Sequence, residues 1–201
     1  MLVRSLVSLV LSAGLLSGCA EIQIPDLTAY LPGGNLPPMR WDARPEAATW
    51  TARTLAIVAA HDSELAARVP ADIQTFCPKY PRASIADRRA FWVGLLSATA
   101  KHESSYNPKA SGGRGRYIGL MQISPRTAAL ADCRAKSSTA LKDGTANLEC
   151  AVQIMAPHVS ADGAVAGKGG LGIGRDWGPF RNRADRADIA GWTSAQPYCK
   201  I

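Results

Sequence analysis

The chain has 201 residues, of which 47% are hydrophobic and 19% charged; that is enough for one domain of ordinary size with appendages, and too apolar for a disordered polymer. Its formal charge of +7 favours an acidic partner, whether nucleic acid, an anionic membrane or an anionic wall polymer. Composition does not choose among the three.

At the N-terminus Arg4 precedes an apolar run from Leu6 to Leu16. The run is too short to span a bilayer as a mature helix and has the length of a signal h-region. It ends in Leu16-Ser17-Gly18-Cys19, which resembles the lipobox of bacterial lipoproteins. The resemblance implies that residues 1–18 are a signal peptide and that Cys19 becomes the lipidated N-terminus. Several acyl chains, at about 0.8 kcal/mol per buried methylene, would hold such a protein firmly to a membrane. Ala20 after the cysteine implies the periplasmic face of the outer membrane. The plainer alternative is an ordinary signal peptide with an incidental cysteine. Residues 19–45 carry Pro25, Pro32, Gly33, Gly34, Pro37, Pro38 and Pro45, a density of breakers that no periodicity survives. This segment reads as a tether that first touches the core near Trp41.

Residues 46–201 read as a single, mainly α domain. After Pro45, Ala47, Trp50, Leu55, Ile57 and Val58 predict a helix, and Asp62–Val69 predicts a second. Pro70, Pro78 and Pro81 then enforce a loop. The strongest helix starts at the N-cap Ser84 and runs to about Glu103. On it Ile85, Trp92, Leu96, Thr99 and Glu103 share one stripe at helical spacing, which places a carboxylate in line with a buried face.

Two motifs follow in close succession. The first is Glu103-Ser104-Ser105-Tyr106-Asn107-Pro108; the second, Gly119-Leu120-Met121-Gln122-Ile123, lies beyond a glycine- and arginine-rich loop from Ser111 to Arg116. Together they resemble the lytic transglycosylases of bacterial cell walls, the SLT type of the goose-lysozyme-like superfamily. The resemblance covers roughly residues 85–180 and implies a lysozyme-like helical fold with a short β-hairpin beside the cleft. It also implies an enzyme that cleaves the MurNAc-GlcNAc β-1,4 bond of peptidoglycan strands to leave 1,6-anhydromuramic ends. Glu103 would be the catalytic acid and base, and Ser104 would position the acid or the substrate. Gly119, Leu120, Met121 and Gln122 would line the cleft, with Tyr117 directly before that block. No metal or cofactor is implied. The alternatives are a hydrolytic lysozyme-type muramidase and a non-catalytic wall-binding protein on a degenerate version of the fold.

The chemistry suits the residue. A glycosidase acid must keep its proton near neutral pH, which desolvation beside Trp92 and Leu96 and the negative end of a helix dipole would both favour. No second carboxylate motif lies near Glu103, although Asp132 or Glu149 could approach in space.

Downstream, Ser124-Pro125 predicts another helix start, and Asn147–Met155 a helix ended by Pro157. Residues 163–174 read as a flexible glycine-rich loop, and Arg181–Asp188 as weakly helical. Family members carry an Ala-Tyr-Asn-Ala-Gly-like segment where this chain has Gly172-Ile173-Gly174-Arg175-Asp176-Trp177. That departure makes Trp177 a candidate cleft wall that stacks on a sugar face. Arg114, Arg116, Arg175, Arg181 and Arg183 are candidates for a basic patch. Gly167-Lys168-Gly169-Gly170-Leu171-Gly172 matches a dinucleotide fingerprint in letters but lacks the strand that must precede one. Nucleic-acid binding has no motif and conflicts with export.

With Cys19 assigned to lipid, four cysteines remain, and they allow three pairings. Cys133 with Cys150 closes a short connection between predicted helices, leaving Cys77 with Cys199. A zinc site is the weaker alternative, since no Cys-x-x-Cys occurs. Partners in the envelope other than the wall and the membrane are not indicated.

Overall fold

The computed structural model describes residues 36–201. The segment read as a signal peptide, Cys19 and most of the segment read as a tether therefore lie outside the described residues. Part of the segment read as a tether belongs to the folded body. Met39 and Trp41 are buried, the Trp41 indole N–H donates to Thr51 at 2.9 Å, and Arg40 forms a two-pronged ion pair with Asp188. The prolines of this stretch stop a helix from forming but leave alternate side chains free to reach the core.

Six α-helices and one small hairpin make the domain: α1 Ala47–Ala60, α2 Ile73–Phe76, α3 Ile85–Ser104, β1 Ser111–Gly112, β2 Tyr117–Ile118, α4 Pro125–Leu130, α5 Gly144–Asp162 and α6 Arg183–Ser194. This is the mainly α, lysozyme-like architecture that the motifs imply. None of the described helices is long and apolar enough to cross a membrane.

The centre of the molecule is α3. Ser84 caps it by accepting from the Asp87 N–H at 3.1 Å, and the residues from Ala90 to Ala100 are all buried. A helix enclosed on every side has no apolar stripe in the amphipathic sense. The expected stripe is accordingly broken at its start, where Ile85 is 43% exposed. One flank of α3 packs on α1 and another on α6, while α1 also packs on α5. Aromatic side chains fill the adjoining core: Trp92 donates its indole N–H to the Tyr80 hydroxyl at 2.9 Å, and Tyr80 donates onward to the Leu65 carbonyl at 3.2 Å. That chain satisfies both polar tips in a dry interior.

Three further expectations need correction. Residues 62–69 form successive turns rather than a helix; Asp62 is turned onto Arg89, while Leu65 and Ala66 reach the core from the turns. Pro157 does not end α5, which continues to Asp162 and is capped by the left-handed Gly163. Pro157 is exposed, so its ring faces water, and burial of Val159 beyond it holds the last turn against the lost hydrogen bond. The glycine-rich stretch after α5 is pinned rather than loose. The Asp72 carboxylate accepts from the N–H groups of Val165, Ala166 and Gly167 at 2.6, 3.0 and 2.7 Å. Asp162 accepts from Gly172 N–H at 2.7 Å and binds Arg175.

Both disulfides are present, Cys77–Cys199 and Cys133–Cys150. The first fastens the C-terminus to the end of α2; the second joins the segment after α4 to α5.

Candidate active site

Glu103 occupies the last turn of α3, and the residues after it explain why the helix stops there. Ser105 and Tyr106 are both left-handed, with φ of 50° and 62°. The Ser105 N–H returns to the Lys101 carbonyl at 3.1 Å and the Tyr106 N–H to the Ala100 carbonyl at 3.4 Å, a backbone closure of the Schellman kind. The Asn107 side chain then accepts from Lys109 N–H at 2.9 Å and turns the chain through Pro108. So Ser-Ser-Tyr-Asn-Pro is, in local terms, a helix stop followed by a reversal.

The reversal leads straight into the second motif. Ala110 accepts from the Gly119 N–H at 2.9 Å, which ties the end of the first motif to the start of the second. Gly119-Leu120-Met121-Gln122 is a four-residue turn that follows directly on β2. It is closed by reciprocal bonds between Ile118 and Ile123, each 3.0 Å. Its two ends are left-handed, Gly119 at φ 81° and Gln122 at φ 48°. Gly119 is also packed so closely that a Cβ there would overlap the Asn147 amide and the Leu141 carbonyl.

Asn147, which the sequence reading did not single out, holds this turn. Wholly buried, it donates to the Ile118 and Leu141 carbonyls at 2.9 Å each and accepts from Met121 N–H at 2.8 Å. Nothing in the sequence distinguishes it from an ordinary helical asparagine. Leu120 and Met121 send their side chains into the core, and both main-chain groups of Met121 are taken, the carbonyl by Trp177 Nε1 at 2.8 Å. Trp177 is only 3% exposed, so its ring face is not open for stacking on a sugar. Tyr117, at 43%, has the exposed ring, with the Arg116 guanidinium over it. Tyr117, Gln122, Trp177 and Asp176 meet around one open pocket.

The electrostatics of Glu103 are set by solvation. Its carboxyl is half-buried and pushed up from 4.5 to about 7, with burial the sole cause. No charged group reaches it among the described residues, because its basic neighbours face the other way. Asp188 on α6 binds Arg40 at 2.7 Å, His102 at 2.7 Å and Lys101 at 3.3 Å, and Asp185 adds a contact to His102 at 3.3 Å. The Arg40 guanidinium, helped by His102 and Lys101, holds Asp188 well below the usual carboxylate range. The Ser104 hydroxyl donates to the Ala100 carbonyl at 3.2 Å rather than to Glu103. Asp132 and Glu149 are bound to Lys136 and Arg134. Arg175 is committed to Asp162, which removes it from the expected basic patch.

Residues 82–167 match the family model described as the transglycosylase SLT domain. This part of the chain is similar to transglycosylase SLT domains. The match spans α3, both motifs, the hairpin and α5, and ends short of Asp176 and Trp177. Solved structures of DslA are similar over most of the domain. One glutamate-to-glutamine mutant of DslA is 28% identical with a TM-score of 0.74, over 82% of this chain and 98% of the other. Wild-type DslA (form 2) is 27% identical with the same TM-score, over 83% and 100%. Among curated proteins, none matches the chain.

Proposed function

We propose that this protein is a peptidoglycan lytic transglycosylase in which Glu103 alone serves as acid and then base. The observation that carries this reading is a half-buried carboxyl, without a partner among the described residues, pushed up to about 7 in a region similar to SLT domains. Such a group is largely protonated at neutral pH and can give its proton to the glycosidic oxygen as the bond to muramic C1 breaks. The substrate's N-acetyl group supports the positive charge that develops at C1. The Glu103 carboxylate then removes the proton from the muramic C6 hydroxyl, whose oxygen closes on C1. Atoms balance without water, and the product ends in a 1,6-anhydro ring. The acetamide takes the place of the second carboxylate of a two-acid glycosidase. Lipid on Cys19 would keep the domain at the periplasmic face of the outer membrane, within reach of the wall.

The test is digestion of purified sacculi followed by mass spectrometry. Anhydro-ended muropeptides are expected, and Glu103→Gln should lower their release by at least about three orders of magnitude while the protein stays folded. Reducing ends alone would replace this mechanism by hydrolysis. Binding of sacculi with no release by the unmodified protein would make it a wall-binding module.

A further inference from the structure

The pocket beside the Gly119–Gln122 turn has a composition that selects its ligand. Its floor is apolar: Ile123, Ile154 and Trp177 are 3, 6 and 3% exposed. Its polar groups are mostly committed already. The Trp177 N–H is on Met121, Gln122 Nε2 donates to the Gly119 carbonyl at 2.9 Å, and the Ser124 and Thr127 hydroxyls bond each other at 2.8 Å. Asp176 Oδ2 pairs with His158 Nδ1 at 2.7 Å. Besides the Tyr117 hydroxyl, one hydrogen of Gln122 Nε2 and one hydroxyl hydrogen of the Ser124–Thr127 pair, the unclaimed positions include two acceptors, Asp176 Oδ1 and Gln122 Oε1. Among the described residues, the only formal charge lining the pocket is that of Asp176, beside the exposed ring of Tyr117. A carboxylate inside the pocket repels the acidic groups of a stem peptide. Hydroxyl and amide N–H donors are drawn in, and an apolar carbon face is held by the aromatic ring.

We propose that Asp176, oriented by His158, is a sugar-binding residue of this pocket, accepting hydrogen bonds from the hydroxyl or amide N–H groups of an N-acetylhexosamine whose carbon face lies on Tyr117. The inference rests on the reading of peptidoglycan as substrate and adds a determinant of how the strand is held. Asp176 lies beyond the residues matched by the SLT family model, in the segment between α5 and α6. His158 comes from α5 and Asp176 from the turn before Trp177. Their bond fixes the carboxylate that would otherwise rotate freely, and so lowers the cost of ordering it when a ligand arrives.

The experiment uses Glu103→Gln protein, which cannot consume its ligand, titrated with the uncharged N-acetylglucosamine trimer and followed by NMR at the Trp177 indole N–H and the Tyr117 ring. Both signals should move on binding. Adding Asp176→Ala should weaken affinity by at least about tenfold, as loss of a charge-assisted hydrogen bond requires. Asp176→Asn, which keeps the shape and one acceptor oxygen, should fold normally and fall in between, and His158→Gln should weaken binding less than Asp176→Ala. In otherwise unmodified enzyme Asp176→Ala should raise KM with kcat little changed. Wild-type affinity in the Asp176→Ala protein, or shifts confined to another surface, would overturn the inference and leave the role of Glu103 untouched. Conversely, an active Glu103→Gln enzyme would overturn the catalytic reading and leave the trimer result standing.

Discussion

Glu103 has two properties that rarely coexist: it is desolvated, and it is unpaired although Lys101 and His102 precede it directly in the same helical turn. The arrangement works because Asp188 collects those two side chains together with Arg40. The first consequence is kinetic. The protonated acid is the reactive form, so kcat/KM should fall about tenfold per pH unit above about 7; a profile flat to pH 9 would contradict a titrating Glu103. The second is thermodynamic. Folded, the carboxyl titrates near 7, against 4.5 when unperturbed. Between those values the native state holds a proton that the unfolded chain has released, so stability is fully present below about 4.5 and declines as pH rises through 7. Glu103→Gln removes that penalty and should stabilise the protein at pH 8 by on the order of 2 kcal/mol, allowing for partial solvation, with no gain at pH 4. Equal stabilisation at both pH values in denaturant titrations would refute the linkage. Asp188→Asn should release the neighbouring cations towards Glu103 and move the alkaline limb to lower pH by up to about one unit.

At the scale of elements, the sequence made the start of α3, the start of α4 and the position of Glu103 legible, because each depends on local rules: Ser84 and Ser124 cap their helices through their own hydroxyls. The Gly-Leu-Met-Gln block was legible as important but not as a turn. Its apolar residues suggest a strand, and only the distant Asn147, which bonds Ile118, Leu141 and Met121, makes the turn the lower-energy choice. Residues 163–174 were misjudged for the same reason, since the anchor, Asp72, lies far back in the chain. Nor could spacing reveal that Trp177 is covered while Tyr117 is open. The importance of Asn147 is measurable. Asn147→Ala strands two buried carbonyls and one N–H, and should cost about 3 kcal/mol or more. Activity should fall faster than stability if the turn shapes the site. A substitution costing less than 1 kcal/mol would mean that the turn holds its own conformation without the amide.

At the scale of the whole molecule, two features bear on the proposed work against the wall. One is the pair of disulfides, both of the pairings favoured from sequence. The other is the distribution of charge. From Ser104 to Ala131 the chain has Lys109, Arg114, Arg116 and Arg126 and no carboxylate, and this one-signed stretch contains the hairpin and the turn that border the pocket. Arg116 is spent partly on the Tyr117 ring and the Gly113 carbonyl, while Arg114 is exposed at the hairpin tip. The rim and the pocket should therefore recognise different parts of one polymer, the rim its acidic stems and the pocket its neutral sugars. Salt separates the two. Raising ionic strength from 0.1 to 1 M shortens the screening length from about 10 to about 3 Å. Under that change, retention of Glu103→Gln protein on purified sacculi should fall severalfold, whereas its affinity for the uncharged N-acetylglucosamine trimer should hardly change. Sacculus binding that ignores salt would show that the positive rim plays no part in holding the wall. Trimer binding that collapses with salt would mean that the pocket is held by charge rather than by hydrogen bonds and ring contact.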